Sequence, residues 1–284
     1  MNRLVIVALA LAGRALACSV ETHQGEVGIY QTPAKGVGES GGNGGGGSPQ
    51  AMANPTSFFL TMFLRDFKRY DAKDPLTNPA FDHGESEKSV VADALGEDGK
   101  PVYRAPANDV PTFGAALFDQ WYRDVADVNY RVPYPLPMAL GDDGFYGFDS
   151  QQSGMPELNQ GVERRVFFPL DDGGPYATPF GNQGNAHNQA YTAEVHATFV
   201  ARAGSSLEAG GDDDVYVFID GKLVVDLGGT HTLIRKQLAL DELSLNVGQV
   251  YRLDLFYAER QGANSALVFK TNLLLSDYRL VSAE

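Results

Sequence analysis

Residues 210–231, GGDDDVYVFIDGKLVVDLGGTH, constrain the fold more tightly than any other stretch of the chain. The apolar run Val215 to Ile219 has the length and the β-branched and aromatic content of a buried or half-buried strand. Asp220-Gly221 then separates it from a second run, Lys222 to Leu227. A two-residue Asp-Gly connection between such runs specifies a hairpin, because a type I′ turn needs positive φ at both central positions. Pairing outward from that turn sets Ile219 opposite Lys222, Val217 opposite Val224 and Val215 opposite Asp226. Asp226 is thereby expected beside Asp214.

Asp212, Asp213, Asp214 and Asp226 would then crowd one corner of a sheet, where carboxylates raise one another's pKa or recruit a cation. Oxygen-only donors at a loop-strand junction suit a hard divalent ion, calcium before magnesium. The alternative is that some of these acids cap turns or face water.

The segment GDDDVYVFIDGKLVVDLGG, followed by LDLFYAER at 253–260, closely resembles the fibro-slime domain, an extracellular module related to the protective-antigen-type β-sandwich lectins. LRDF at 64–67, GKPVY at 99–103, FDQWYRD at 118–124, FFPLDD at 167–172, HNQAYTAEVHATF at 187–199 and KTNL at 270–273 follow the family's order. The resemblance covers about residues 57–275. It implies an antiparallel sandwich in which two adjacent Asp residues, joined by a cis peptide, and an Asn from a later loop hold a calcium ion that coordinates sugar hydroxyls. The Asp pair falls on Asp212 and Asp213, and Asn264 is the candidate for the late Asn. Asp214 departs from the pattern, standing where those lectins commonly have Gly, so the choice among the three acids stays open. Asp226, His231, Glu259 and Arg260 are the neighbouring polar residues placed to touch a ligand.

The chain starts with Met1-Asn2-Arg3 and the apolar LVIVALALAG, the pattern of a secretory signal, with Ala15-Leu16-Ala17 as its small-residue cleavage site. Residues 1–17 are therefore expected to be removed and the protein exported. The only cysteine, Cys18, comes next. It has no disulfide partner, and its place resembles the lipidated Cys of bacterial lipoproteins, although Ala15 and Leu16 depart from that box. Lipidation at Cys18 and a plain secreted chain with a spare thiol both stay open. Residues 18–53 end in GVGESGGNGGGGSPQAMA, a composition that cannot bury enough surface to fold and reads as a tether. The expected location is secreted or on the outer cell surface.

Removal of Arg3 and Arg14 leaves 20 basic against 36 acidic residues, a net charge of −16. Nucleic acid and anionic lipid headgroups, both held by Lys and Arg, are excluded as natural partners.

Residues 54–279 form the expected folded domain, with 280–284 as a tail. SFFLTMFLRDF reads as its first strand, and residues 71–111, rich in Asp, Pro, Asn and Gly, as a long excursion. Phe113, Leu117 and Trp121, flanked by Phe118 and Tyr122, place one apolar face on a helix from about Thr112 to Asp124, and the lone Trp belongs to that packing face. YPLPMAL, FYGFD and RRVFFPL read as strands, and 171–190 as a surface loop of the kind that carries binding residues. In 191–199, Tyr191, Ala193, Val195, Ala197 and Phe199 alternate with Thr192, Glu194, His196 and Thr198, the second set expected on a wet face. Glu194, His196 and nearby His187 lack a third ligand at metal spacing and are set aside as a zinc or acid/base site. Ser206 to Ala209, Gln237 to Leu245, Val250 to Tyr257 and Ala266 to Leu275 complete the strands. Short strands about 8 to 12 residues apart make the fold class all-β, an antiparallel β-sandwich with one short helix and long surface loops, which the resemblance implies is of the protective-antigen type.

The expected function is a non-catalytic module binding carbohydrate through calcium, in adhesion or a surface matrix. The alternatives are a secreted glycan-active enzyme using paired carboxylates, for which no catalytic signature stands in the sequence, and a structural domain with calcium as a staple only.

Overall fold

The computed structural model describes residues 55–81, 90–105, 113–152, 166–260, 262–276 and 278–280. The expected signal segment 1–17, the expected tether 18–53 with Cys18, and residues 281–284 of the expected tail lie outside the described residues. Among the described residues twelve strands follow in chain order: β1 (Ser57–Phe67), β2 (Asn129–Leu140), β3 (Tyr146–Asp149), β4 (Tyr191–Val200), β5 (Ser206–Asp212), β6 (Asp214–Ile219), β7 (Lys222–Leu227), β8 (Ile234–Ala239), β9 (Val250–Glu259), β10 (Ala266–Thr271), β11 (Leu275–Ser276) and β12 (Tyr278–Leu280). All paired strands are antiparallel, in the path β7-β6-β9-β4-β1-β2-β3-β10-β5-β8, with β11 on β4 and β12 on β1. The fold is an antiparallel β-sandwich with one short helix and long surface loops.

Proline chemistry shapes the path. β2 pairs with β1 from Asn129 to Ala139, yet meets β3 only through Ala139 and Leu140. Pro133, Pro135 and Pro137 have the same parity and lack the N–H that a second neighbour would need, so the far side of β2 stays unpaired there. The narrow β2–β3 join divides the path into two layers, and their inner faces share one core. Leu60, Met62, Leu64, Val195, Phe199, Val217 and Leu255 come from one layer, and Phe148, Leu207, Leu267 and Phe269 from the other.

A second core lies on the outer face of β6-β9-β4-β1. Tyr216, Phe218, Phe256 and Phe67 pack there against Phe81, Val91, Phe118, Trp121 and Tyr122 of the excursion and its following turn. β6 is thus buried on both faces, which is why its sequence is a continuous apolar run rather than an alternating one. The expected helix shrinks to one turn, α1 (Ala115–Phe118), entered from Gly114 at φ 82°. The aromatic packing holds nevertheless: Trp121 is 3 % exposed and its ring centroid lies 4.9 Å from that of Phe118.

Four further expectations are corrected. Val166 to Leu170 of RRVFFPL run without strand pairing, Phe167 N–H donating to the Ser265 carbonyl. The segment expected as a strand over Gln237 to Leu245 is strand only as far as Ala239, then a 3-10 turn over Leu240–Leu243. The second face of β4 is not wet: Thr192 and Glu194 are fully buried beneath the excursion. Glu194 receives Arg65 Nη1 at 3.0 Å and Lys100 Nζ at 2.6 Å. Burial pushes this carboxyl up, but the His196 hydrogen bond and the Arg65 and Lys100 charges prevail and hold it at about 2.

The hairpin turn has the expected form, with φ 50° at Asp220 and 75° at Gly221. Its register does not continue, however. A bulge between Val217 and Phe218 shifts every outer pair by one, so Val217 faces Val225, Tyr216 faces Asp226 and Val215 faces Leu227. The extra residue lets Leu223 serve the outer core while Val225 serves the inner one, which strict alternation forbids to residues two apart. Asp226 therefore does not pair where Asp214 was expected to find it.

Asp66, at the end of β1, is fully buried; it accepts Asn188 Nδ2 at 2.8 Å and the Thr178 hydroxyl, fastening the 171–190 loop. Burial pushes its carboxyl up to about 7 against the donors' opposing effect. A folded value above the unfolded one means that the stability linked to Asp66 is fully present below 3.8 and is lost as pH rises through about 7. Thermal unfolding followed between about pH 5 and pH 8 should therefore decline less in Asp66→Asn, which keeps both partners without the charge, than in the parent chain.

Candidate functional site: an acid cluster where the chain changes layer

β5 belongs to one layer and β6 to the other, and only Asp213 stands between them. Glycine makes the approach possible. A Cβ at Gly210 would lie 2.7 Å from the Ile234 carbonyl oxygen, and one at Gly211 would lie 2.3 Å from Val215 Cγ2. At the crossing the Asp212–Asp213 peptide is cis, the form the resemblance implies for the pair.

One carboxylate oxygen from each of Asp212, Asp213 and Glu259 lies within 4.8 Å of the other two. Asp213 is anchored by two backbone donors, His231 N–H to Oδ1 and Arg260 N–H to Oδ2, both at 3.1 Å. Glu259 is 0 % exposed. Its Oε2 accepts the Tyr257 hydroxyl at 3.2 Å, while its Oε1 is buried with no hydrogen-bond partner. The same Tyr257 hydroxyl approaches Ser265 Oγ at 2.7 Å and the Asp212 carbonyl, tying the end of β9 to the crossing. Asp212 is half-exposed.

The electrostatics follow from this crowding. Burial raises Asp213 to about 7, with the Asp214 carboxylate adding to the effect, and burial raises Asp212 to about 6. Glu259 is pushed well above the usual carboxylate range by burial and then by the Asp213 charge. Three convergent acids, one of them buried with an unused oxygen, form a donor set that fits a hard divalent cation.

The structure sorts the expected residues. Asp214 lies outside the cluster: its Oδ2 accepts Arg260 Nε at 2.7 Å, and its Oδ1 accepts Gly229 N–H at 2.6 Å and the Tyr216 hydroxyl at 2.8 Å. Its capacity is spent on a buried ion pair, and the Arg260 guanidinium lies 5.3 Å from the Trp121 ring centre. Asp226 is half-buried and accepts Gly228 N–H at 3.1 Å. The His231 ring nitrogens sit 3.0 Å from the Leu227 carbonyl oxygen and 2.9 Å from that of Thr232. Asn264 is exposed on the loop after Arg260, next to Ser265. Glu259, expected among the ligand-contacting residues, is a member of the acid cluster itself. Extending the inward alternation Leu253, Leu255, Tyr257 by one step would have put it there.

No family model matches the chain. The chain is 32% identical to protein psiC of Dictyostelium discoideum over 219 residues, 73% of this chain and 40% of psiC. It is 33% identical to psiD of the same organism over 195 residues, 66% of this chain and 36% of psiD, and 34% identical to psiR over 205 residues, 70% of this chain and 20% of psiR. The chain thus spans less than half the length of these relatives. Among solved structures, the PA14 domain of the antifreeze protein MpAFP is 13% identical with a TM-score of 0.23, covering 29% of this chain and 42% of that one. The PA14 sugar-binding domain from an RTX adhesin is 10% identical with a TM-score of 0.24, covering 34% and 57%. Likeness at this level says nothing about individual site residues.

Removing one partner of a buried pair leaves an uncompensated charge. Arg260→Met should therefore cost roughly 3–5 kcal/mol in denaturant unfolding, because it strands Asp214 at 0 % exposure. The double variant with Asp214→Asn should recover part of that loss, and a strictly additive cycle would refute the coupling.

Proposed function

We propose that this chain is a fibro-slime-type module that binds glycan at the cell surface or outside the cell, through a divalent cation held by Asp212, Asp213 and Glu259. The observation that carries the reading is the unpartnered Glu259 Oε1, sealed from water within reach of two aspartates whose charges it would otherwise oppose. Calcium is the first candidate, since it takes six to eight oxygens at about 2.3–2.6 Å and tolerates irregular donor sets. Asn264 and water complete the set in this reading. Bound there, the ion supplies a position at which vicinal sugar hydroxyls replace water. The protein's own contribution is to hold the acids apart from solvent: Tyr257 and Ser265 orient Glu259, and two backbone N–H groups orient Asp213.

Burial also weighs against Glu259 as an acid or base in hydrolysis, because with no exposed surface it cannot itself reach a glycosidic oxygen. In the same proposal residues 1–17 direct export, 18–53 form a spacer, and Cys18 is the place of any lipid anchor. The similarity to the psi proteins supports a shared module over the folded part.

Terbium luminescence sensitised by nearby tyrosines, competed by calcium, tests the site directly. Glu259→Gln should weaken both ions by at least about 100-fold, more than loss of an outer-shell partner commonly costs. Pull-down by soluble polysaccharides should disappear with a chelator and in Asp213→Asn. Binding that persists in both would overturn the cation's role in recognition, and terbium titrations indistinguishable between parent and Glu259→Gln would overturn the site.

A further inference from the structure

A polar cavity lies at the same end of the sandwich as the acid cluster. The register places Asp66 of β1 opposite Tyr191 of β4, and Tyr191 opposite Glu259 of β9. The ends of β1 and β9 are therefore two strand spacings apart, about 10 Å. Beyond the end of β1 the 171–190 loop folds over a cavity of about 60 Å³ lined by Arg69, Phe81, Asn182, Gln183, Asn185 and Gln189.

The lining divides into fasteners and free groups. Gln183 is a fastener, donating from Nε2 to the Phe67 carbonyl at 2.9 Å and accepting Arg69 N–H. Asn182 is another: it accepts Asp172 N–H at 2.9 Å and donates to the Ala186 carbonyl at 3.0 Å. The Arg69 guanidinium and the carboxamides of Asn185 and Gln189 make no side-chain hydrogen bond or ion pair with described residues. Phe81, stacked on Phe67 at 4.2 Å, supplies a rigid apolar wall.

We propose that this cavity is a subsite for one edge of a neutral sugar ring, engaging a further unit of the glycan held at the cation. The proposal rests on the cation-site reading of the preceding subsection. Carboxamides offer a donor and an acceptor side by side, which matches hydroxyl groups that are both. The ring wall matches the apolar C–H face beside them. A cavity of this size holds roughly four to six waters, so it takes part of a ring rather than a whole unit. Charge selects a neutral ligand over an anionic one. The Asp172 carboxylate lies so close behind Gly181 that a Cβ there would sit 2.4 Å from its Oδ1, which offsets Arg69, and the chain's net charge is −14.

Two subsites on one end make affinity depend on chain length, since engagement of the second becomes intramolecular. The test is calorimetry at saturating calcium with gluco-, manno- and galacto-oligosaccharide ladders of one to six units. In the ladder that binds, affinity should rise at least about tenfold from the monosaccharide to the spanning length. Arg69→Ala and Asn185→Ala, both at solvent-accessible positions, should remove that rise while leaving monosaccharide affinity and terbium titration at parent values. A flat ladder, or a rise untouched by both substitutions, overturns the subsite. Monosaccharide binding that is absent although terbium still binds would instead overturn the cation-site reading of recognition. A rise that follows uronate rather than neutral ladders would overturn the ligand class.

Discussion

Three carboxylates meet where the chain leaves one layer of the sandwich and enters the other, and the rest of the structure is arranged to make that meeting possible. Gly210 and Gly211 let the backbone approach where any side chain would collide. Tyr257, itself beside Ser265, holds one oxygen of Glu259 and leaves the other bare. A bare carboxylate oxygen in a dry interior is costly unless a proton or a metal ion attends it. The cluster therefore couples the state of the site to the seam between the layers.

Around that seam, charge is handled by strict pairing. Asp214 and Arg260 neutralise each other directly behind the cluster, and Glu194 is shared by Arg65 and Lys100. The second pairing also binds the excursion to the outer face of β4, since Lys100 comes from that excursion. The outer aromatic core then shields these ion pairs from water, which strengthens them and makes the loss of one partner expensive.

Much of this was legible in the residues. The Asp-Gly turn fixed a hairpin, and the alternation from Tyr191 to Phe199 fixed which side chains face the main core. Local pattern could not show what covers the opposite face, so Glu194 and His196 read as wet although the excursion buries Glu194. The same blindness misplaced Asp226, because a bulge that serves two cores at once leaves no mark in a run of valines. The helix over Thr112 to Asp124 failed for a related reason: its aromatic spacing is needed for packing against Phe256 and Phe81, and one turn suffices to aim it. At the site, the run of three aspartates drew notice to the crossing but could not tell which carboxylate an arginine had claimed.

The pairing of β1 with β12, Phe58 against Leu280, brings the first and last strands of the described residues side by side. A unit whose two ends emerge together can hang from a longer polypeptide like a bead on a loop. Tension along such a polypeptide would peel that terminal pair open one rung at a time, while the strands that carry the acids, reached only through the interior of the sheet, bear none of the load until the terminal pair has parted.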